Sequence, residues 1–226
     1  MREIVFDTET TGLDPQTGDR LVEIGCIELV NRVPTGEVFH AYFNPERDMP
    51  AEAEAVHGLS STFLSDKPLF GELAADFLEF IGESPMVAHN AGFDFAFINA
   101  ELALCTMEPV DRARMVDTVA IARRKHPGAK LSLDALCTRY GIDRSHRTKH
   151  GALLDAELLA QLYVELMGGR QIGLELAAEA VVANIRETAV MVSRKFRAPR
   201  PHAASEAELA RHAEFVGGLN DPLWRR

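Results

Sequence analysis

The stretch "EIVFDTETTGLDP" (3–15) decides how this 226-residue chain is read. Ile4, Val5 and Phe6 have the character of a buried strand. Asp7 and Glu9 follow at once, with only Thr8 between them. Carboxylates are costly inside an apolar sheet unless something pairs with them. On a strand, residues i and i+2 share a face, so the two acids stand side by side at the strand's C-terminal end. Sites in α/β sheets collect at such ends. The alternative, exposed edge residues or turn formers, fits Asp7 poorly because it directly follows Ile-Val-Phe.

Outward from that strand, "LVEIGCIELV" and "EVFHAYF" read as two more strands, with "NRVPTG" as the hairpin loop between them. "PAEAEAVHG" reads as a short helix ended by Gly58, and "PLFGELAADFLEFIG" (68–82) as a helix with Leu73, Phe77, Phe80 and Ile81 on one side. "MVAHN" is strand-like, and "GFDFAFINAELAL" returns to helical spacing. "ARMVDTVAIARRKHP" suggests a strand running into a helix, and "LSLDALCTRYG" a helix ending at Gly141. "GALLDAELLAQLYVELMGG" (151–169) is the strongest helical pattern, closed by Gly168 and Gly169. Strands first, then helices alternating with short strands, imply an α/β sheet with an antiparallel edge. After Gly169 the composition changes, and "SRKFRAPRPHAAS" (193–205) reads as a linker. The boundary is placed near residue 170, giving residues 1–170 and 171–226.

Composition bounds the function classes. The chain is 46% hydrophobic and 26% charged, with no run of 18 apolar residues, so no membrane span is expected. "MREIVF" enters a strand pattern without a signal-peptide core. Cys26, Cys105 and Cys137 are far apart and form no CxxC, so neither a disulfide framework nor a zinc knuckle is suggested, and a reducing cytoplasm is the simplest home. The net charge of −10 argues at first against nucleic acid. Its distribution qualifies that: residues 1–110 carry −15, while 111–150 carry +6. An acidic body beside a basic block suits a metal site next to a phosphate-binding patch, although the basic runs also read as solvated faces.

Further acids extend the pair. Asp94, in "MVAHNAGFDFAFI", falls in the first turn of a helix, where a carboxylate also simply favours the dipole. Asn90 fits an N-cap and His89 a satisfied loop histidine. Asp155 sits among Leu153, Leu154, Leu158 and Leu159, with His150 five residues earlier. Five helical residues rotate the chain by about 500°, so the two would diverge on one helix. His150 therefore belongs on the loop entering the helix, able to swing over Asp155. Four carboxylates and a histidine suit hard divalent ions such as Mg²⁺ or Mn²⁺. Two such ions about 3.5–4 Å apart can clamp an in-line displacement at phosphorus. A neutral histidine can then take the proton from the attacking water.

"FDTETTG", "HNAGFD" and "HGALLDA" resemble, in order and spacing, the three motifs of the DEDDh group of 3′→5′ exonucleases. "VEIGCIELVNR", "TGEVFHAYFNPER", "VHGLS", "KPLF", "SLDALCTRYGID" and the tail "SEAELARHAEF…LWRR" resemble proofreading epsilon subunits of bacterial DNA polymerase III. The resemblance implies a ribonuclease-H-like fold, a five-stranded mixed sheet flanked by helices with a C-terminal extension. It implies metal ligands Asp7, Glu9, Asp94 and Asp155 for two divalent cations, with His150 as general base. Asp7, Glu9 and Asp155 would also meet the substrate, and Glu52 and His57 would contact the terminal nucleotide. The implied activity is Mg²⁺- or Mn²⁺-dependent removal of mismatched 3′-terminal DNA nucleotides as monophosphates, within the replicative polymerase.

The resemblance extends to partners. "QIGLEL" (171–176) is similar to the glutamine-led peptide that bacterial proteins insert into the sliding clamp, here Gln171, Leu174 and Leu176. Leu223 and Trp224, in the tail, resemble the part of epsilon that docks on the alpha subunit, and a lone Trp near a polar end suits an interface anchor. The implied partners are a DNA 3′ end, the alpha subunit and the beta clamp, with room for a small accessory subunit. The implied location is the bacterial cytoplasm, at the nucleoid-associated replisome. Two other readings stay open on sequence: a stand-alone nuclease of short RNA or single-stranded DNA, and a non-catalytic adaptor between polymerase and clamp.

Overall fold

The computed structural model describes residues 1–145, 147, 150–169 and 203–219. Five strands form one mixed sheet: β1 (Arg2–Thr10), β2 (Leu21–Val30), β3 (Val33–Tyr42), β4 (Met86–Ala88) and β5 (Met115–Asp117), in the order β3-β2-β1-β4-β5. β1, β2 and β3 pair antiparallel, whereas β4 joins β1, and β5 joins β4, in parallel. The α/β class and the mixed, helix-flanked sheet match the expectation.

The hairpin differs from its sequence reading. β3 starts at Val33, so Pro34 and Gly36 lie inside a strand rather than in a loop. The turn is Asn31–Arg32, both with positive φ (52° and 65°). Such a two-residue turn matches the strand twist. Pro34 is tolerated because β3 is an edge strand that can spare an N–H.

Helices cover both faces. Ile4 and Phe6 point to one side, into a core with Phe70, Phe77 and Ile81 of α3 (Phe70–Ile81) and Phe95, Ile98 and Leu102 of α4 (Ala91–Leu104). Val5 points to the other side, packing with Ala122 of α5 (Thr118–Lys125), Leu136 of α6 (Leu133–Tyr140) and Leu159 and Leu162 of α7 (Ala152–Leu166). Near β2, α1 (Ala51–His57) and α2 (Ser61–Leu64) frame a small cluster of Val22, Met49 and Leu64. Gly58 ends α1 with φ 78°, in the left-handed region where glycine lacks the Cβ penalty. Arg20 and the Leu21 N–H both bind Glu101, which ties α4 to the start of β2.

The C-terminal half of β1 is left open on one side and crowded on the other. The β1–β4 ladder pairs only Ile4 and Val5, so β1 from Phe6 onward pairs with β2 alone. A Cβ at Gly25, opposite Asp7, would lie 2.4 Å from the Leu153 backbone, so α7 begins directly on β2.

Of the second unit (Glu175–Arg226), the described residues 203–219 hold one helix, α8 (Glu206–Gly217), which Ser205 caps. The Ser205 hydroxyl accepts the Glu208 N–H, and Glu208 accepts the Ser205 N–H in return. Gln171, Leu174, Leu176, Leu223, Trp224 and residues 193–202 of the expected linker lie outside the described residues. Among the described residues, no helix is long and apolar enough to cross a membrane.

Candidate active site

The alternation of β1 distributes the acids. Asp7 and Glu9 share a face with Val5, toward α7, while Thr8 shares a face with Ile4 and Phe6, toward α4. Asp155, in the first turn of α7, is 3% exposed and comes down on the Asp7/Glu9 side. Asp94, in the first turn of α4, is also 3% exposed and arrives from the other side. It is caught there by Thr8, whose hydroxyl donates to Asp94 Oδ1 at 2.7 Å. The strand thus draws acids from both helical layers to the half of β1 that β4 leaves free.

His150 is on the loop entering α7, as the rotation argument requires. Its Nδ1 lies 3.1 Å from Asp155 Oδ2, and its backbone N–H donates to the Val56 carbonyl at 3.4 Å. Ligand atoms of Glu9, His150 and Asp155 all lie within 4.8 Å of one another. Asp7 interacts electrostatically with Asp94, Glu9 and Asp155, so the four predicted carboxylates form one field. His57 is buried at the end of α1, where its Nδ1 accepts the Leu59 N–H at 3.0 Å. Glu52 stands exposed in the first turn of α1.

The neighbourhood of Asp94 is held by other groups. Asn90 occupies the position before α4 with φ 67°, but its side chain makes no capping bond. Its N–H instead donates to Asp117 Oδ1 at 3.1 Å, which links β5 to the start of α4. His89 bridges Thr118 and the Leu131 carbonyl, at 2.9 and 2.8 Å, and so is satisfied as expected.

Three participants do not stand out in the sequence. Thr8 reads there as a spacer, though a hydroxyl following Ile4 and Phe6 on an apolar face is a visible signal. Glu23 lies directly opposite Glu9 on β2 and is 3% exposed, with His40 Nε2 at 2.8 Å. Arg147 grips Asp155 with two arms, at 2.5 and 2.6 Å. In the sequence it is only one member of the basic block.

Crowded acids resist ionisation. Burial, then the charges of Asp94, Glu9 and Asp155, hold the Asp7 carboxyl well above its usual range. Burial and the facing Glu23 push Glu9 up to about 8. Burial raises Asp94 to about 7, against the opposing hydrogen bond from Thr8. The oxygen-rich donor set with one imidazole suits a hard divalent ion.

These shifts set a pH dependence. An acid whose pKa is higher folded than unfolded stabilises the fold at low pH and loses that contribution as pH rises. For Glu9 the window runs from 4.5 to about 8, and for Asp94 from 3.8 to about 7. With a chelator present, the thermal unfolding midpoint should therefore fall as pH rises from about 5 to about 8. Saturating Mn²⁺ should flatten that slope. A chelator slope of zero or of opposite sign would contradict the crowding.

The mixed sheet with its flanking helices is a ribonuclease-H-like fold. The Exonuclease family matches residues 4–163. DNA polymerase III subunit epsilon of Rickettsia conorii is 49% identical over 97% of this chain and 96% of its own length. The Escherichia coli epsilon subunit is 40% identical over 93% of this chain and 90% of its own. Among solved structures, exonuclease X in complex with 5′-overhanging duplex DNA superposes with a TM-score of 0.56, at 26% identity over 74% of this chain and 90% of that one. The nuclease domain of 3′hExo, a DEDDh family member bound to rAMP, has a TM-score of 0.63 at 16% identity, covering 74% of this chain and 91% of that one, a likeness of fold. The chain belongs to the exonuclease family, with the 3′→5′ exonucleases that are epsilon subunits of DNA polymerase III. Enzymes of this family depend on divalent metal.

Proposed function

We propose that the chain removes mismatched 3′-terminal nucleotides from DNA, as the proofreading subunit of a replicative polymerase. The observation that carries this is the convergence of Glu9, His150 and Asp155 within 4.8 Å, beside Asp7 and the Thr8-held Asp94, in a chain with epsilon relatives. Asp7, Glu9, Asp94 and Asp155 would hold two divalent cations, Mg²⁺ or Mn²⁺. Bound there, the cations would lower the pKa of the attacking water and offset charge on the phosphate. His150, exposed on its loop, receives the water's proton and can carry it to solvent. Glu52 and His57 on α1 are assigned to the terminal nucleotide. The Val56 carbonyl supports this, because it touches the loop bearing His150. A frayed end costs less to unstack than a paired one, which biases removal toward errors.

Residues 1–170 form the catalytic part in this reading, and 171–226 the docking part. Gln171, Leu174 and Leu176 would enter the beta clamp, and Leu223 and Trp224 would anchor the alpha subunit, at the replisome in the cytoplasm. α8 precedes that anchor and leaves Leu209 and Phe215 exposed, 56% and 64%.

One reconstitution tests the reading. The full chain should release nucleoside monophosphates from a 3′-mismatched primer in Mg²⁺, roughly tenfold or more faster than from a matched one, and none in EDTA. Deleting residues 206–226 should leave that hydrolysis intact while abolishing co-elution with the alpha subunit. Hydrolysis in EDTA, or co-elution that survives the deletion, would overturn it.

A further inference from the structure

Arg147 lies on the segment between α6 and α7, and its side chain is 9% exposed. Its Nε donates to Asp155 Oδ1 at 2.5 Å, and its Nη2 to Asp155 Oδ2 at 2.6 Å. Nη2 also lies 2.7 Å from His150 Nδ1. The third arm, Nη1, donates to Asp134 Oδ1 on α6 at 2.7 Å. One guanidinium therefore engages both oxygens of a candidate ligand and the ring nitrogen of the candidate base. It also reaches farther, since its charge opposes the upward shifts of Asp7 and Glu9.

A forked guanidinium matches a carboxylate with two parallel, charge-assisted hydrogen bonds. A divalent cation seeking the same two oxygens meets bonds that must break and a positive charge that repels it. Asp134 offers the arginine somewhere to stay, because that contact does not involve Asp155. We propose that Arg147 is a built-in counter-ion of the active site that competes with divalent cation for Asp155, with Asp134 retaining it when the cation is bound. The inference rests on the reading of Asp155 as a metal ligand. Arg147 acts through Asp155 in this account: its charge offsets that of the acids until a cation takes its place.

The competing role, an ordinary salt bridge that orders the His150 segment, predicts the opposite result. Losing such a bridge would loosen Asp155 and His150 and weaken metal binding. Losing a competitor strengthens it.

The test is Mn²⁺ binding to the full chain without DNA, read from the paramagnetic resonance signal of free Mn²⁺. Wild type is compared with Arg147→Ala, Arg147→Gln and Asp155→Asn. Both arginine variants should bind Mn²⁺ tighter, on the order of tenfold, and gain more thermal stability from Mn²⁺ than wild type does. Unchanged or weaker affinity in both arginine variants, with wild type binding and Asp155→Asn not, would overturn the proposal alone. Wild-type-like affinity in Asp155→Asn would overturn the ligand reading and the proposal with it.

Discussion

Asp7→Asn is expected to abolish hydrolysis while making the fold more stable in chelator. The two effects have one cause. Asp7 sits at the end of a core strand, its carboxyl held well above its usual range by burial and by Asp94, Glu9 and Asp155. Above that range the ionised group costs folding free energy, and an amide of the same shape does not. If Asp7 is a metal ligand, as proposed, the same substitution removes an anionic donor from the divalent site, and the rate should fall by about 10³-fold or more. The check is paired: monophosphate release in Mg²⁺ and thermal unfolding at alkaline pH in EDTA. A variant that is inactive but less stable would mean that Asp7 is structural. A variant that remains active would mean that it is no ligand.

Gly25→Ala should cost both stability and rate, though Gly25 is chemically inert. Its new Cβ would lie 2.4 Å from Leu153 N and Cα and 2.6 Å from the Ala152 carbonyl carbon. These are backbone atoms that no rotamer change removes. The first turn of α7 must lift from β2, and Asp155 lifts with it. Overpacking of this kind typically costs about 1–3 kcal/mol. At this chain size, that is roughly 2–4 °C of unfolding midpoint per kcal/mol. A displacement near 1 Å at a catalytic group costs about 10²-fold in rate. Calorimetry together with steady-state digestion reads both. Wild-type activity in a folded Gly25→Ala would show that Asp155 does not depend on this close approach.

The two substitutions mark where sequence reading works and where it stops. The shared face of Asp7 and Glu9 and the loop position of His150 are legible because strand alternation and helix rotation are local rules, whereas the ligand set that includes Asp94 and Asp155 is what the motif resemblance implies. A residue and its periodicity are enough to place the side chain on a face. Gly25, Glu23 and Arg147 are not legible, because each matters only through a partner distant in sequence or in another element. Gly25 depends on the β1–β2 register and on α7 packing there, and Glu23 on standing opposite Glu9. Arg147 depends on a loop that returns it to Asp155. The hairpin departs from its sequence reading for a related reason. Pro34 and Gly36 are strong loop signals, but β3 is an edge strand, which tolerates both. The turn residues, Asn31 and Arg32, carry no glycine to announce them.

The central claim is that the acids gathered around β1 are there to hold divalent metal. Anomalous diffraction from crystals of the full chain grown with Mn²⁺ and a nucleoside monophosphate tests it most directly. The account predicts two peaks about 3.5–4 Å apart, bounded by Asp7, Glu9, Asp94 and Asp155, with Arg147 withdrawn from Asp155. Manganese bound elsewhere, with Arg147 still on both Asp155 oxygens, would contradict it.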